Sequence, residues 1–158
     1  MQRAKGASGE REIASIVREL TGWDVRRRVR QQDGDSDLEG VPGWSVEVKR
    51  HRSASRGEIA AWWRQIVRQA ERAAALPVLF FRVDRDGWRA VWPLAVLLTH
   101  QKADYWKAYE WTTEGSAEAW AAAALAINLD RPSTTDKPTP DIHGAESPSH
   151  SILEGHAP

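Results

Sequence analysis

Apolar residues recur at helical spacing through residues 7–20, which predicts a first helix. Ser8 is a candidate N-cap, and Gly22 stands where such a helix would end. Glu10 lies on or beside the apolar stripe of this helix. A carboxylate there is costly unless it has a partner or a chemical role, so Glu10 is a first candidate for function.

Two short strands are predicted to follow the helix. Residues 23–30 alternate apolar and polar side chains, and Trp23, Val25 and Val29 are assigned to the apolar face. The opposite face carries arginines. A turn-rich loop comes next, and a short second strand begins at Asp37.

Residues 44–50 alternate again and are predicted to form a third strand. Because side chains alternate between the faces of a strand, Glu47 and Lys49 share one face. The apolar side chains of Trp44, Val46 and Val48 point to the other face. This strand is therefore predicted to hold an acid and a base side by side.

The next elements are a second helix and two more strands. A capping box at residues 55–58 predicts a helix that runs to about residue 75. The nearly continuous apolar run at 77–83 is typical of a central strand. A hairpin turn at 84–87 then leads into a strand at 88–92.

This order of elements predicts an α/β protein with a mixed central sheet flanked by helices. Residues 1–98 are expected to form the core domain, and 99–129 a helical C-terminal extension. Short helices are predicted at 93–99 and 116–129. Residues 130–158 contain five prolines and few apolar side chains, so a disordered tail is predicted there.

Composition narrows the class of protein. The chain has 158 residues and no cysteine, which predicts one main domain without disulfides in a reducing compartment. No stretch approaches the roughly 18 apolar residues of a membrane-spanning helix, and no secretory signal is visible. We expect a cytoplasmic protein of a bacterial or phage-infected cell, with no membrane partner.

The net charge is zero, but the charge is unevenly distributed along the chain. Residues 1–98 hold 18 Lys and Arg against 13 Asp and Glu. If several of these acids form a metal site, the remaining surface is more basic still, as expected of a face that binds phosphate. A solvated surface of mixed charge is the alternative interpretation.

Asp37 and Glu47, on neighbouring strands, would repel each other unless a divalent cation or a proton intervenes. Mg²⁺ prefers oxygen ligands, usually one or two carboxylates with phosphate and water, and Glu10 could join them directly or through water. Lys49 could orient or help deprotonate an attacking water. Considered alone, Glu47 and Lys49 could instead be an exposed ion pair.

The order of these features resembles the PD-(D/E)XK nuclease superfamily, most closely the archaeal and phage type of Holliday junction resolvase. The matching segments are residues 5–12, 28–30, 36–38, 46–49, 62–65 and 77–82. Ser36 departs from the pattern, since the superfamily often has proline before its Asp. The region after Pro93 has no counterpart in the pattern.

The resemblance implies a restriction-endonuclease-like fold and a Mg²⁺ site formed by Glu10, Asp37 and Glu47, with Mn²⁺ expected to substitute. It implies Lys49 as the base-like catalytic residue and Gln65 as an aid on the second helix. It also implies a homodimer that cuts symmetric strands of a four-way DNA junction. Gln69, one turn from Gln65, could take the same part.

Basic residues around these elements are expected to contact DNA as a group. They are Lys5, Arg11, Arg26, Arg28, Arg30, Arg50, His51, Arg52 and Arg56. Contacts of this kind set affinity and salt dependence rather than base specificity. For the strand arginines, the alternatives are a solvated face or ion pairs with Asp33 and Asp35.

The sequence thus favours a Mg²⁺-dependent endodeoxyribonuclease that acts on branched DNA as a dimer. One alternative is another nuclease of the superfamily, of flap-cutting, end-processing or restriction type. The other is a catalytically silent nucleic-acid-binding module of the same fold. Trp62 and Trp63 are adjacent on a helix, so one of them is expected to lie outside the core.

Overall fold

The computed structural model describes residues 2–29, 35–97 and 107–129. In chain order its helices and strands are α1 (Gln2–Thr21), β1 (Arg26–Arg27), β2 (Leu38–Glu39), β3 (Trp44–His51), α2 (Arg56–Arg72), β4 (Leu76–Val83), β5 (Arg89–Pro93), β6 (Thr112–Ser116) and α3 (Ala117–Leu129). Within these ranges no helix is long and apolar enough to cross a bilayer. The predictions for the Lys5 side chain, Arg30, Asp33 and the tail lie outside the described residues.

A four-stranded mixed sheet forms the centre of the molecule, in the order β3-β4-β5-β6. β3 and β4 are parallel and joined by α2, and Glu47 lies opposite Leu79 in their register. The other two strand pairs of this sheet are antiparallel. The predicted α/β class and the restriction-endonuclease-like arrangement of sheet and helices are confirmed.

One face of the sheet packs against α1 and α3 and forms the larger core. Val46 and Val48 of β3 belong to this cluster, together with Phe80 of β4 and Trp120 of α3. The Trp120 ring is fully buried and stands edge-on to Phe80 and Trp44, with centroids 5.0 and 5.4 Å away.

The opposite face packs against α2. Leu79, Phe81 and Val91 meet Trp63 and Ile66 of the helix in a second apolar cluster. Toward β3 this face turns polar. The buried polar and charged residues among those described are Ser45, Glu47 and Gln69, and all of them lie on β3 or α2.

Two of the three helix caps predicted from the sequence are present in the structure. The Ser55 side chain accepts from the Glu58 N–H, and the Glu58 carboxylate accepts from the Ser55 N–H, which confirms the capping box of α2. Gly22 ends α1 with φ of +74°, as predicted. The N-cap prediction for Ser8 is wrong, because α1 begins earlier and Ser8 lies inside it.

The first predicted strand is mostly irregular. Of its described residues, 23–29, Arg26 and Arg27 alone form a strand, which pairs with β2 in a separate antiparallel ribbon. Val25 is buried as expected, but Val29 is 81% exposed and does not belong to an apolar face. The alternation alone was misleading here, because β2, the strand that pairs with this segment, is itself only two residues long.

The region after residue 98 contains a strand that the sequence analysis missed. β6 pairs with β5 along its whole length, so part of this region completes the central sheet. Its sequence, Thr-Thr-Glu-Gly-Ser, has no large apolar residue that would have marked it. The helix predicted from residue 116 is confirmed as α3, and it packs on the larger core through Trp120.

Candidate active site

The polar side chains of β3 pair with each other and with glutamine side chains of α2. Glu47 is only 4% exposed, and its Oε1 atom contacts the Lys49 Nζ. The Gln65 carboxamide donates to the same Glu47 oxygen at 2.9 Å. Glu47 and Lys49 are therefore a largely buried pair and not the exposed ion pair considered from the sequence alone.

Gln65 and Gln69 have different partners. Gln69 is buried and donates from Nε2 to the Ser45 hydroxyl at 3.2 Å, one step back along β3 from Glu47. The structure thus places Gln65, rather than Gln69, against the Glu47 carboxylate. Ser45 was not predicted as a site residue, although it shares the face of Glu47 at a spacing of two residues.

Asp37 is fixed by backbone contacts at the outer edge of β3. Its N–H donates to the Val46 carbonyl at 2.8 Å, and its Oδ2 accepts from the Val48 N–H at 2.7 Å. These two contacts place its side chain beside β3. Glu47 lies between Val46 and Val48 in sequence. Its carboxylate is close enough to Asp37 to raise the pKa of that residue.

Ser36 provides a second anchor for this segment. Its hydroxyl donates to the Leu38 carbonyl at 2.7 Å and accepts from the Val46 N–H at 2.9 Å. A proline at this position would lack these side-chain contacts. The departure from the usual motif is therefore compensated here by hydrogen bonds that hold the loop against β3.

The proximity of the two acids appears in the electrostatics of Asp37. Burial, together with the charge of Glu47 as a smaller cause, raises the pKa of the Asp37 carboxyl to about 7. The Val48 N–H opposes this shift, and Lys49 does so to a smaller extent. At neutral pH the Asp37 carboxyl is therefore only partly ionised, and a positive charge bound beside it would favour the carboxylate.

Glu10 lies near the pair but has its own partner. Its Oε2 contacts the Arg27 Nε, and its charge raises the pKa of Asp37 less than that of Glu47 does. In the alternation of residues 23–30, Arg27 falls on the side assigned to apolar residues, and this ion pair accounts for a charged side chain there. Among the described residues, no group of three or more His, Cys, Asp or Glu side chains is arranged to hold a metal ion.

The donor set of Asp37 and Glu47 nevertheless fits a divalent cation. Both groups are carboxylates, Glu47 is buried and Asp37 is partly buried, and the charge of Glu47 raises the pKa of Asp37. Hard cations such as Mg²⁺ prefer this chemistry and complete their shell with water or phosphate oxygens.

The predicted DNA-contacting residues fall into separate groups. Arg26 pairs with Asp24 at 2.7 Å, and Arg28 lies 3.6 Å from Asp35, so the ion-pair alternative holds for Arg28. Arg11 is exposed on α1. The others lie at the end of β3 and the start of α2, close to Lys49 in sequence: Arg50, His51, Arg52 and Arg56.

The two adjacent tryptophans differ as expected. Trp63 is fully buried and donates from Nε1 to the Lys107 carbonyl at 2.8 Å. Trp62 is only partly buried and stacks at 4.6 Å between ring centroids on His51, at the end of β3. An aromatic pair thus borders the charged face beyond Lys49.

Comparison with known proteins supports a nuclease. Residues 1–122 match the model of a family described as "Phage putative PDDEXK endonuclease". Among solved structures, Hjc from Archaeoglobus fulgidus, a Holliday junction resolvase from an archaeal hyperthermophile, aligns with 17% identity and a TM-score of 0.41. The alignment covers 75% of this chain and 88% of that one. No curated protein sequence matches.

Proposed function

The chain belongs to the phage PD-(D/E)XK endonuclease family, and we propose that it is a Mg²⁺-dependent endodeoxyribonuclease that cuts branched DNA in the manner of a Holliday junction resolvase. The observation that carries the proposal is the pair of carboxylates, Asp37 and Glu47, with Lys49 in contact with Glu47. A catalytically silent module would have no use for two acids held so close together.

Asp37 and Glu47 would hold the cation, with Glu10 able to contribute through water. When bound, a divalent cation supplies charge stabilisation for the phosphoryl oxygens and lowers the pKa of bound water. Mn²⁺ is expected to replace Mg²⁺, since both take oxygen ligands.

The neighbouring side chains have distinct parts in this proposal. The Lys49 ammonium, held by Glu47, would orient the attacking water and electrostatically favour loss of its proton to solvent, and it would offset negative charge on the phosphoryl group. The Gln65 carboxamide donates to Glu47, which fixes the rotamer of that carboxylate. The Arg27 guanidinium restrains Glu10.

The choice of branched DNA rests on the sequence pattern shared with resolvases from residue 5 to residue 92. A four-way junction has a two-fold arrangement of strands, so an isologous homodimer would place two active sites on symmetric strands. The basic residues beside Lys49, at the end of β3 and the start of α2, are suited to contact the phosphates flanking the cut.

The test is cleavage of a labelled four-way junction and a linear duplex of matched sequence, in Mg²⁺ or in EDTA. The wild type should cut the junction at paired positions and the duplex much less, and EDTA should abolish cutting. The Asp37→Asn and Lys49→Ala variants should no longer cut DNA but should still bind it. Asp24→Asn is the matched control, because it neutralises an exposed aspartate paired with Arg26.

Three results would contradict parts of this proposal. Full cutting by Lys49→Ala would remove that residue from the mechanism. Preference for linear duplex or for a flap would leave the nuclease chemistry in place and replace the resolvase assignment. Binding without cutting in every divalent metal tried would point to a silent DNA-binding module.

A further inference from the structure

We infer that a cavity beside the catalytic pair receives one unpaired nucleobase of the DNA strand that is cut; this inference rests on the proposed function. The cavity has a volume of about 500 Å³. It lies where the end of α2 faces the start of β3 and the segment around β2.

The cavity adjoins the catalytic residues along both β3 and the segment before β2. Its lining includes Ser45, which lies two residues before Glu47 on the same face, and Ser36, which precedes Asp37. Two residues of strand span about 6.6 Å. Successive nucleotides in stacked DNA are about 3.4 Å apart, so this distance corresponds to about two nucleotides. The cavity can therefore receive the base of a nucleotide within one or two positions of the cut.

Two residues in the lining of the cavity, Arg28 and Gln69, have polar atoms that are buried. Gln69 is 2% exposed and contributes a carboxamide, whose Nε2 donates to the Ser45 hydroxyl. The Arg28 Nε is buried and has no hydrogen-bond partner among the residues that the structure describes. An amide and a guanidinium offer donors together with an acceptor, which is what the edge of a nucleobase requires.

The charges around the cavity favour a neutral ligand over a phosphate. Two arginines in the lining are balanced by two carboxylates, and the residues are Arg28, Arg72, Asp35 and Glu39. In addition, the 17-residue helix α2 ends at Arg72, so the negative end of its helix dipole lies at the cavity. A phosphate would be repelled by this pole and gain nothing from a neutral lining, whereas a base is polar without net charge.

The size and the substrate agree with this assignment. A cavity of about 500 Å³ is within the range of small-ligand sites and holds a single base with its sugar. A base must leave the stack to enter such a pocket, and this costs least where it is already unpaired. The branch point of a junction and a single-stranded flap both present such bases.

The test uses 2-aminopurine, a fluorescent base that brightens when it is unstacked, placed at one position at a time around the cut in a four-way junction and in a flap. Fluorescence is measured with full-length protein in EDTA, so the readout does not need cleavage. At one position within two nucleotides of the cut, the wild type should raise the signal several-fold.

Two variants and a control locate the effect. Ala73 is exposed and lines the cavity, so Ala73→Phe should block it and abolish the rise while the affinity for DNA is kept. Gln69→Leu removes the carboxamide without filling the space and should also lower the signal. Ala122→Phe, on the exposed side of α3, should behave as the wild type.

A responsive position that persists in Ala73→Phe, or no responsive position in the wild type, would overturn the inference. The two failures remain distinguishable. If the wild type binds and cuts branched DNA without a fluorescent response, the cavity assignment alone is wrong. If it binds no DNA, the proposed function fails and this inference fails with it.

Discussion

The two faces of strand β3 put the same backbone to opposite uses. On the α1 and α3 side, Val46 and Val48 are buried in the larger core. On the α2 side, Glu47 is buried equally well, but against Lys49 and Gln65. One strand therefore contributes to stability with one set of side chains and holds the proposed catalytic groups with the alternating set.

This difference shows how the candidate site is held in position. The apolar side fixes the position of β3, and the backbone of the same strand then holds Asp37 through Val46 and Val48. The polar side carries the energetic cost of two neighbouring carboxylates. Substitutions on the two sides should consequently separate activity from stability.

The largest effect is expected from Glu47→Gln. The substitution removes one carboxylate and the ion pair with Lys49 but keeps the size of the side chain. Cleavage of the preferred DNA should fall by about 10²–10⁴-fold, the range seen when a positioned catalytic group is lost. Cleavage rates under single-turnover conditions, with thermal unfolding in parallel, measure the split between activity and stability. A fold change below ten would argue against a catalytic role.

The next effect concerns pH in the absence of metal. The folded pKa of Asp37, about 7, is above its ordinary value of 3.8. The contribution of Asp37 to folding is therefore fully present below about pH 3.8 and is lost as the pH rises through about 7. At about 1.4 kcal/mol for each pKa unit, this loss is of the order of 4 kcal/mol.

Urea unfolding between pH 4 and pH 8.5 in EDTA measures this dependence. In Asp37→Asn the free energy of unfolding should decline less as the pH rises, because the asparagine does not ionise. Asp24→Asn serves as the control, since Asp24 is exposed and paired with Arg26. An unchanged slope in Asp37→Asn would show that other groups cause the pH dependence.

Val46→Ala tests the apolar side of the same strand. Val46 is fully buried, so its truncation leaves a cavity and should lower the free energy of unfolding by about 2 kcal/mol. The cleavage rate of the folded protein, measured well below the melting temperature, should remain within about threefold of the wild type. A rate loss as large as that of Glu47→Gln would mean that the two faces are not separable.

The smallest effect is expected from Gln65→Leu. Only the hydrogen bond to Glu47 is lost, and a single bond of this kind contributes about 1 to 1.5 kcal/mol, which corresponds to a rate loss of up to about tenfold. Gln65 is exposed, so stability should change little. Steady-state cleavage across several Mg²⁺ concentrations checks whether the loss is in the rate or in metal affinity.

The sequence predicted the elements whose period or caps are strong. The capping box of α2, the alternation of β3 and the apolar run of β4 all appear where they were expected. β6 was missed because its residues gain strand structure from pairing with β5 and not from their own preference.

The candidate site was only partly predictable for a related reason. Glu10, Asp37, Glu47 and Lys49 could be chosen by residue type and spacing. The partner of Glu10, the anchoring by Ser36 and the choice of Gln65 over Gln69 depend on how separate elements pack. Contacts between residues distant in sequence carry no local signal along a single chain.

The most direct test of the central claim is the thermal stabilisation of the protein by Mn²⁺ or Mg²⁺ without DNA, at pH 8 and at pH 5. At a concentration 100-fold above the dissociation constant, binding should stabilise the wild type by about 2.7 kcal/mol at pH 8. The effect should be smaller at pH 5, where the Asp37 carboxyl is protonated before metal binds, and absent in Asp37→Asn. Equal stabilisation of Asp37→Asn and the wild type would contradict a metal site formed by Asp37 and Glu47.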